Sequence, residues 1–219
     1  MAPSNANTDT DPSASKLLRF DLLCFDLMDT VVVDPFFADV PRIFGAQCLR
    51  RMAEAGEPSL WPAFERGEID EATLLANFYR QPEAAAQAGL PAPQSLRDAI
   101  ISRYRFVEGM EQLLSELKSH HRLWILSNYP CWFEALYVQL RLERFFEGVV
   151  VSYRSRQRKP EPGAYEALIE ASGASPSSVV FIDDRAPNCE AARRAGWRAI
   201  HFSSVPALRA AFGAICSTD

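Results

Sequence analysis

The chain has 219 residues, 48% of them hydrophobic, which suffices for one sizeable core with a modest insert but not for two independent domains of ordinary size. With 23 Lys and Arg against 28 Asp and Glu, its formal net charge is -5, so we expect neither nucleic acid nor an anionic membrane as a partner. The apolar runs fall far short of the roughly 20 residues that a transmembrane helix needs. A soluble protein is therefore expected.

The N-terminal segment and the cysteines bear on the compartment. Residues 1–16 are polar and rich in Asn, Ser, Thr and Pro, and they lack both the apolar core of a secretory signal and the Arg-rich, acid-poor composition of a transit peptide. We expect them to form a disordered tail. The five cysteines are odd in number and show no CxxC spacing, which is typical of reduced thiols. These features together favour a cytoplasmic location.

Hydrophobic patterning indicates first a strand and then a helical insert. Residues 17–33 form a short apolar run dense in Leu, Phe and Val that ends in acidic residues, as in a buried strand that leads into a polar loop. Over residues 34–104, Ala, Glu, Arg and Leu recur at helical spacing, Pro is frequent and β-branched runs are lacking. We therefore predict a small, all-helical cap over residues 34–104, inserted after the first strand.

Beyond the cap, over residues 105–219, helical patterns alternate with short apolar runs. The predicted strands are 123–126, 148–152, 179–182 and 199–202, and the predicted helices are 107–117, 132–140, 163–171 and 188–195. This alternation is typical of a doubly wound parallel sheet. The sequence thus predicts an α/β fold in which residues 17–33 and 105–219 form a Rossmann-like core.

Polar side chains follow four of the predicted strands. They are Asp26, Asp29 and Thr30 after the first strand, Ser127 and Asn128 after the second, Lys159 past the third, and Asp183, Asp184 and Asn188 after the fourth. In doubly wound sheets, the groups that carry the chemistry gather outside the carboxyl ends of the strands. Each of these residue types is common in turns and helix caps, but their joint occurrence at four strand ends indicates one shared site.

The chemistry of these side chains predicts a phosphate site. Several carboxylates in one crevice repel each other unless a divalent cation or a buried ammonium neutralises them, and oxygen ligands favour Mg²⁺ over zinc. Mg²⁺ and Lys159 would neutralise a phosphoryl group, Ser127 would donate a hydrogen bond to it, and a carboxylate would attack phosphorus. The expected intermediate is an aspartyl phosphate that water cleaves.

Four motifs carry a resemblance to a known family. They are FDLMDT at 25–30, LSN at 126–128, KPEPGAY at 159–165 and FIDDRAPNCEAARRAG at 181–196. In order and spacing these motifs resemble those of the haloacid dehalogenase (HAD) superfamily, in members with a helical cap after the first motif. The resemblance implies a HAD-like core and a phosphatase whose cofactor is Mg²⁺.

The same resemblance assigns roles to individual residues. Asp26 would be the nucleophile. The other implied catalytic residues are Ser127, Asn128 and Lys159. The implied metal ligands and their supports are Asp26, Met28, Asp183, Asp184 and Asn188. For Asp183 and Asn188, the alternative is that they cap a strand end and a helix start.

A narrower resemblance reaches into the cap. Residues 28–45, 58–78 and 127–133 are similar to plant plastid HAD phosphatases that hydrolyse flavin mononucleotide (FMN). This implies a small phosphate ester as the partner molecule, with hydrolysis of FMN to riboflavin as the candidate reaction and the plastid stroma as an alternative location. Because an isoalloxazine ring favours aromatic surface, Tyr129 and Trp132 are candidate substrate contacts.

One position departs from the usual phosphatase pattern. HAD phosphatases generally carry a second Asp two residues after the nucleophile, which protonates the leaving oxygen, whereas this chain has Met28 there. The backbone carbonyl of Met28 can still serve a metal ion, but its thioether cannot donate a proton. Asp29, the next residue, is a candidate replacement acid. The alternative is that Asp29 only organises the loop.

Three other functions compete with a phosphatase. A dehalogenase of the same superfamily would use Asp26 to attack carbon, but halide displacement has no need of the metal pair Asp183 and Asp184. A phosphorylated receiver domain would carry its acidic pair early in the chain, whereas here it comes last. A non-catalytic phosphate- or flavin-binding protein, in which Met28 marks lost turnover, stays open. We expect a monomer or a homodimer.

Overall fold

The computed structural model describes residues 20–215, so the predicted tail at 1–16 and Cys216 lie outside the described residues. Within that range the strands are β1 (Leu22–Phe25), β2 (Arg122–Ser127), β3 (Gly148–Val151), β4 (Val179–Asp183) and β5 (Arg198–His201). They form a parallel sheet in the order β3-β2-β1-β4-β5. The parallel sheet confirms the predicted fold class.

The central strand, β1, pairs in parallel with β2 on one side and with β4 on the other. All of its residues are buried, because alternate side chains enter two separate cores. Leu23 and Phe25 pack into one core, and Leu22 and Cys24 pack into the other. An uninterrupted apolar strand is what a sheet covered on both faces requires.

A helical cap follows β1. Its helices within the described residues are α1 (Pro35–Ala38), α2 (Val40–Phe44), α3 (Cys48–Ala55), α4 (Leu60–Glu65), α5 (Glu71–Asn77), α6 (Pro82–Gln87) and α7 (Pro93–Ile101). Proline opens α1, α6 and α7, where its missing N–H costs no intrahelical hydrogen bond. The helices confirm the predicted cap, although one isolated antiparallel bridge joins Gly56 to Tyr79.

The core helices alternate with the strands as predicted. They are α8 (Met110–Leu117), α9 (Phe133–Gln139), α10 (Ser152–Ser155), α11 (Pro162–Ser172), α12 (Ala186–Arg194) and α13 (Val205–Ile215). The elements foreseen from sequence differ from the observed ones by at most three residues at either end. The sequence patterns miss α10, which has a single turn, and α13, whose pattern Pro206 and Gly213 interrupt.

The helices cover both faces of the sheet. Buried residues of α8, α9, α13 and the cap share one core, while those of α11 and α12 share the other. No helix within residues 20–215 is both long enough and apolar enough to cross a membrane. The carboxyl edge of the sheet lies outside both cores, beneath the cap, and polar side chains gather there.

Candidate active site

A buried lysine connects the ends of β1 and β4. Lys159 Nζ donates to Asp26 Oδ1 at 2.6 Å and to Asp183 Oδ2 at 2.7 Å, and all three residues are buried. Asp26 directly follows β1 and Asp183 ends β4, and these strands are neighbours in the sheet. The structure thus brings three of the predicted site residues together at the carboxyl edge of the sheet.

Three carboxylates at this edge form a group that fits a metal ion. Asp26, Asp183 and Asp184 each offer one oxygen, and these oxygens lie within 4.8 Å of one another. A ligand set made only of oxygen suits Mg²⁺. Because the Lys159 ammonium pairs with Asp26 and Asp183 but not with Asp184, the cluster has an excess of negative charge that a divalent cation would offset.

Asp183 differs from its two neighbours, because its oxygens are already engaged. Asn188 Nδ2 donates to both of them at 3.0 Å, and the Arg185 N–H donates to Oδ1 at 2.8 Å. Asp183 therefore holds Lys159 and the start of α12, and Asn188 holds Asp183. This geometry matches the capping alternative for the two residues and leaves Asp26 and Asp184 as the more available ligands.

Burial governs the charge state of the cluster. Burial raises the pKa of Asp26, and the nearby Lys159 ammonium opposes that rise. Burial alone would lower the pKa of Lys159, but the carboxylates of Asp26 and Asp183 raise it above its ordinary value. Burial and the charge of Asp183 also raise the pKa of Asp184. A cation bound to these carboxylates would relieve both raised carboxyl pKa values.

The two polar residues that end β2 have different roles. Ser127 is 2% exposed, and its Oγ has no hydrogen-bond partner among the described residues. Because a buried hydroxyl without a partner is destabilising, Ser127 is suited to bind an oxygen of a ligand. Asn128 instead clamps the backbone of Lys159, since its Nδ2 donates to Lys159 O and its Oδ1 accepts from Lys159 N, both at 2.8 Å.

The loop after β1 explains where Met28 and Asp29 lie. Met28 is half-buried, whereas Asp29 is exposed and adopts a left-handed conformation with φ 53°. Asp29 N donates to Val32 O at 2.6 Å, and Asp29 Oδ1 accepts from Asp34 N at 2.9 Å. These bonds fit the loop-organising alternative for Asp29. Thr30 is fully buried and its Oγ1, like Ser127 Oγ, has no partner among residues 20–215.

Comparison with known proteins agrees with this geometry. A sequence model of haloacid dehalogenase-like hydrolases matches residues 20–196. The chain belongs to this hydrolase family. The match covers every residue of the lysine-centred site and the whole cap, so the HAD family and its enzyme class, predicted from the motifs, are confirmed.

Named relatives of this HAD hydrolase include phosphatases. It is 31% identical over 195 residues to flavin mononucleotide hydrolase 1, a chloroplastic protein of Arabidopsis thaliana, covering 89% of the chain and 77% of the relative. It is 28% identical to a phosphoglycolate phosphatase of Pseudomonas syringae, covering 83% of the chain and 66% of the relative. These relatives support placing the chain among the phosphatases of the family.

A solved structure confirms the fold of this HAD hydrolase. A HAD-family enzyme of Bacteroides thetaiotaomicron, in complex with magnesium and inorganic phosphate, superposes with a TM-score of 0.66. The two chains are 20% identical, and the match covers 85% of this chain and 96% of the other. At this level of identity the likeness establishes the shared architecture.

The two predicted flavin contacts of the HAD hydrolase are buried. Tyr129 is 4% exposed and its hydroxyl lies 2.7 Å from that of Tyr104. Trp132 is 5% exposed, packs edge-on against Trp61, and donates from Nε1 to Glu71 Oε1 at 2.7 Å. Trp132 therefore joins the core to the cap in this structure, and its role as a flavin contact stays a prediction.

The sequence patterns missed a second polar cluster, at the contact between cap and core. Glu65, the last residue of α4, accepts from Trp61 Nε1 at 2.8 Å and pairs with Arg158 at 2.5 Å. Ser152 Oγ donates to Glu65 O at 2.5 Å and accepts from Tyr129 N at 3.0 Å. Glu65 and Tyr129 lie in segments that carry the narrower resemblance, but nothing in the sequence pairs them with each other; the position of Arg158 beside Lys159 is a further hint.

Proposed function

We propose that the chain is a Mg²⁺-dependent phosphatase of small phosphate monoesters, with FMN as its substrate, that works through an aspartyl phosphate on Asp26. The observation that carries the proposal is the buried pair of Asp26 and Lys159 next to the unpartnered hydroxyl of Ser127 on the neighbouring strand. A nucleophile, a cation and a hydrogen-bond donor are what a phosphoryl group requires.

Each residue of the site has its own role in this reaction. The Asp26 carboxylate attacks phosphorus, while Lys159 and Ser127 bind the phosphoryl oxygens and hold the group in line. Asn128 and Asp183 keep the lysine in place through its backbone and its ammonium. Asp26, Asp184 and the carbonyl of Met28 would hold Mg²⁺. When bound, the metal ion neutralises charge on the carboxylates and the phosphoryl group.

FMN is favoured as the substrate because the similarity to the Arabidopsis FMN hydrolase extends over 89% of the chain and therefore includes the cap. A cap over the crevice would exclude water around the aspartyl phosphate and select the shape of the substrate. The cytoplasmic or plastid location and the monomeric or homodimeric state stay predictions.

Met28 favours one rival function, a protein that binds FMN without cleaving it, because the usual proton donor is missing. The dehalogenase alternative is weaker, since three carboxyl oxygens within 4.8 Å of one another have no use in halide displacement. The three functions differ in their products: phosphate, halide or none.

The decisive experiment measures phosphate release from FMN and from p-nitrophenyl phosphate, with Mg²⁺ and after its removal by chelation. We expect Mg²⁺-dependent release that falls by at least about 10³-fold in Asp26→Asn, which loses the nucleophile. Asp70→Asn is the matched control, since Asp70 is an exposed carboxylate that caps α5 in the cap. Binding of FMN without release would favour the binding protein, and halide release from a 2-haloacid would favour the dehalogenase.

A further inference from the structure

Asp34, the first residue of the cap, is held in place by one hydrogen bond at its side chain and one at its backbone. Its Oδ1 accepts from Phe36 N at 2.8 Å, which makes it the N-cap of α1, and its own N–H donates to Asp29 Oδ1 at 2.9 Å. Its second oxygen, Oδ2, has no hydrogen-bond partner among the described residues. The carboxyl group is therefore fixed in position with one oxygen available to a ligand.

Asp34 lies where the loop after β1, which follows the nucleophile Asp26, leads into the first helix of the cap, and it is bonded to Asp29 of that loop. Three carboxylates act on it electrostatically: Asp29 in the loop after β1, Asp184 after β4, and Glu65 of α4 in the cap. Asp34 acts in turn on the phenols of Tyr104 and Tyr129, which pair beneath the cap. The groups that face Asp34 thus come from the core and from the cap, and none of these five is a cation.

This environment favours the protonated form of the carboxyl group. Burial, followed by the charges of Asp29, Asp184 and Glu65, raises the pKa of Asp34 to about 6, while the hydrogen bond from Phe36 opposes the rise. A carboxyl group of this kind can give and regain a proton near neutral pH, as a general acid must.

We propose that Asp34 supplies the proton that Met28 cannot, so that the acid of this phosphatase comes from the first residue of the cap. The inference rests on the proposed function and names the residue that completes it. The group recognised is the ester oxygen of an alkyl phosphate, such as the ribityl phosphate of FMN.

The proton balance of the two steps is complete. In the first step, a bond forms between Asp26 and phosphorus, the bond from phosphorus to the ester oxygen breaks, and the Asp34 carboxyl gives its proton to that oxygen. In the second step, the Asp34 carboxylate takes a proton from water, whose oxygen binds phosphorus as the bond to Asp26 breaks. The products are an alcohol and phosphate, and both aspartates return to their starting states.

Asp29 is the competing acid, and the geometry separates the two. Asp29 is exposed and its Oδ1 already accepts the Asp34 N–H. Asp34 is half-buried, and it lies where the loop after β1 leads into the first helix of the cap. Asp29 therefore positions Asp34 through the backbone, and Asp34 contacts the leaving oxygen.

The test compares Asp34→Asn with Asp29→Asn on FMN and on p-nitrophenyl phosphate, whose leaving group needs no proton. Asn keeps the oxygen that caps α1, so the fold is retained and only the proton is lost. We expect Asp34→Asn to lower kcat on FMN by about 10²- to 10⁴-fold and to affect nitrophenyl phosphate far less. Asp29→Asn should slow both substrates by the same factor, and Asp70→Asn should match the wild type on both.

A pH profile provides a readout that a purely structural role would not change. In the wild type, kcat on FMN should fall as the pH rises above the pKa of Asp34, and this basic limb should be absent in Asp34→Asn. Equal slowing of both substrates by Asp34→Asn, or a selective loss on FMN in Asp29→Asn, would overturn the proposal. If FMN is not cleaved, the same rates are taken with the best alkyl phosphate.

The outcomes also separate this proposal from the one on which it rests. Cleavage of nitrophenyl phosphate by a wild-type enzyme that cleaves no alkyl phosphate would overturn the role of Asp34, because a working acid would then be lacking. Release from neither ester would contradict the phosphatase itself. Release that depends on Asp26 but not selectively on Asp34 would leave the phosphatase standing and remove only the acid.

Discussion

Two buried serines mark the difference between the catalytic edge of the sheet and the contact between cap and core. Ser127 and Ser152 are 2% and 1% exposed, and each lies at the carboxyl end of a core strand. Ser127 Oγ has no partner among the described residues, whereas Ser152 Oγ binds the backbones of Glu65 and Tyr129. The first serine is left for a ligand, and the second joins two parts of the chain.

The same contrast extends to the charged groups of the two regions. At the catalytic edge, one ammonium serves several carboxylates, so the charge balance is completed only by a cation. At the contact between cap and core, Glu65 and Arg158 form an ion pair, so their charges offset each other, although Glu65 Oε2 and Arg158 Nε make no regular hydrogen bond among the described residues. Polar groups left unsatisfied in a folded protein reduce its stability, and they are expected where a ligand binds.

Replacing Lys159 should have the largest effect. In Lys159→Met, the buried carboxylates of Asp26 and Asp183 lose their shared cation, so the free energy of unfolding should fall by about 3–5 kcal/mol and activity should be lost. The loss should be greater at alkaline than at acidic pH, because the carboxylates can take up protons when the pH is low. Urea unfolding measures this, with the exposed Lys118→Met as the control.

An unfolding free energy equal to that of the wild type in Lys159→Met would contradict the role of Lys159 as the cation that stabilises the buried carboxylates of Asp26 and Asp183. It would mean that the carboxylates already hold protons in the folded protein and that the lysine is not their main source of stability.

Asp34→Asn should stabilise the protein in a pH-dependent manner. The folded-state pKa of Asp34 is about 6 against an ordinary 3.8, so folding is penalised once the pH is high enough to ionise the carboxyl group. The penalty is absent at low pH, where both states are protonated, and it is complete above about pH 7. The variant should therefore gain on the order of 1–3 kcal/mol over the wild type at neutral pH and almost nothing below about pH 3.

Urea unfolding at several pH values checks this, and Asp70→Asn is its matched control. Asp70 also caps a cap helix, but the hydrogen bond from Thr73 lowers its pKa, so the sign of its pH dependence is opposite. A pH-independent difference between Asp34→Asn and the wild type would show that Asp34 is not held in an environment that penalises its charge.

The catalytic edge could be predicted from the sequence because its geometry follows from local rules. Asp26, Ser127 and Asp183 each stand at the end of an apolar run, and parallel strands bring such ends together. Lys159 needed the motif resemblance as well, because it follows β3 only after α10. The partner of each side chain was not predictable: the amide of Asn128 clamps a backbone, and Asn188 binds Asp183.

The cap–core contact was not predictable, because its partners are far apart in the chain. The bond between Ser152 and Glu65 joins residues 87 positions apart, and the bond between Trp132 and Glu71 joins residues 61 positions apart. Helical periodicity places Glu65 and Glu71 on cap helices but does not say how the cap is oriented on the sheet. The prediction that Tyr129 and Trp132 contact the substrate has the same limit. An aromatic residue next to a site motif can contact a substrate or pack between cap and core, and the sequence does not distinguish the two.

Trp132→Phe separates those two roles. If Trp132 ties the cap to the core, loss of the N–H to Glu71 should lower the free energy of unfolding by about 1 kcal/mol beyond the cost of the smaller ring. KM should then change by the same factor for FMN and for nitrophenyl phosphate. Trp197→Phe controls for ring size, because Trp197 is buried and its Nε1 has no partner among the described residues.

A selective rise of KM for FMN in Trp132→Phe would favour the flavin contact instead. The cap would then have to open away from Trp132 when substrate binds, which the buried position of this residue in the present arrangement does not require.

The smallest effect on stability is expected at Ser127, and its comparison with Ser152 is the sharpest. Ser152→Ala leaves the Tyr129 N–H and the Glu65 carbonyl without their buried partner, so it should cost about 1–3 kcal/mol. Ser127→Ala removes a hydroxyl that binds nothing in the protein, so the free energy of unfolding should stay within about 0.5 kcal/mol of the wild type or rise. Activity should nevertheless fall on the order of 10²-fold.

Urea unfolding and phosphate release, measured on both variants, decide between a free and an engaged hydroxyl at the two sites. If Ser127→Ala destabilised the protein as much as Ser152→Ala, Ser127 would have a partner within the protein. Its proposed role as the hydrogen-bond donor to the phosphoryl group would then be wrong. If Ser127→Ala instead lost activity without losing stability, the Ser127 hydroxyl would bind the substrate and not the protein. Only a bound ligand would then supply its missing hydrogen-bond partner.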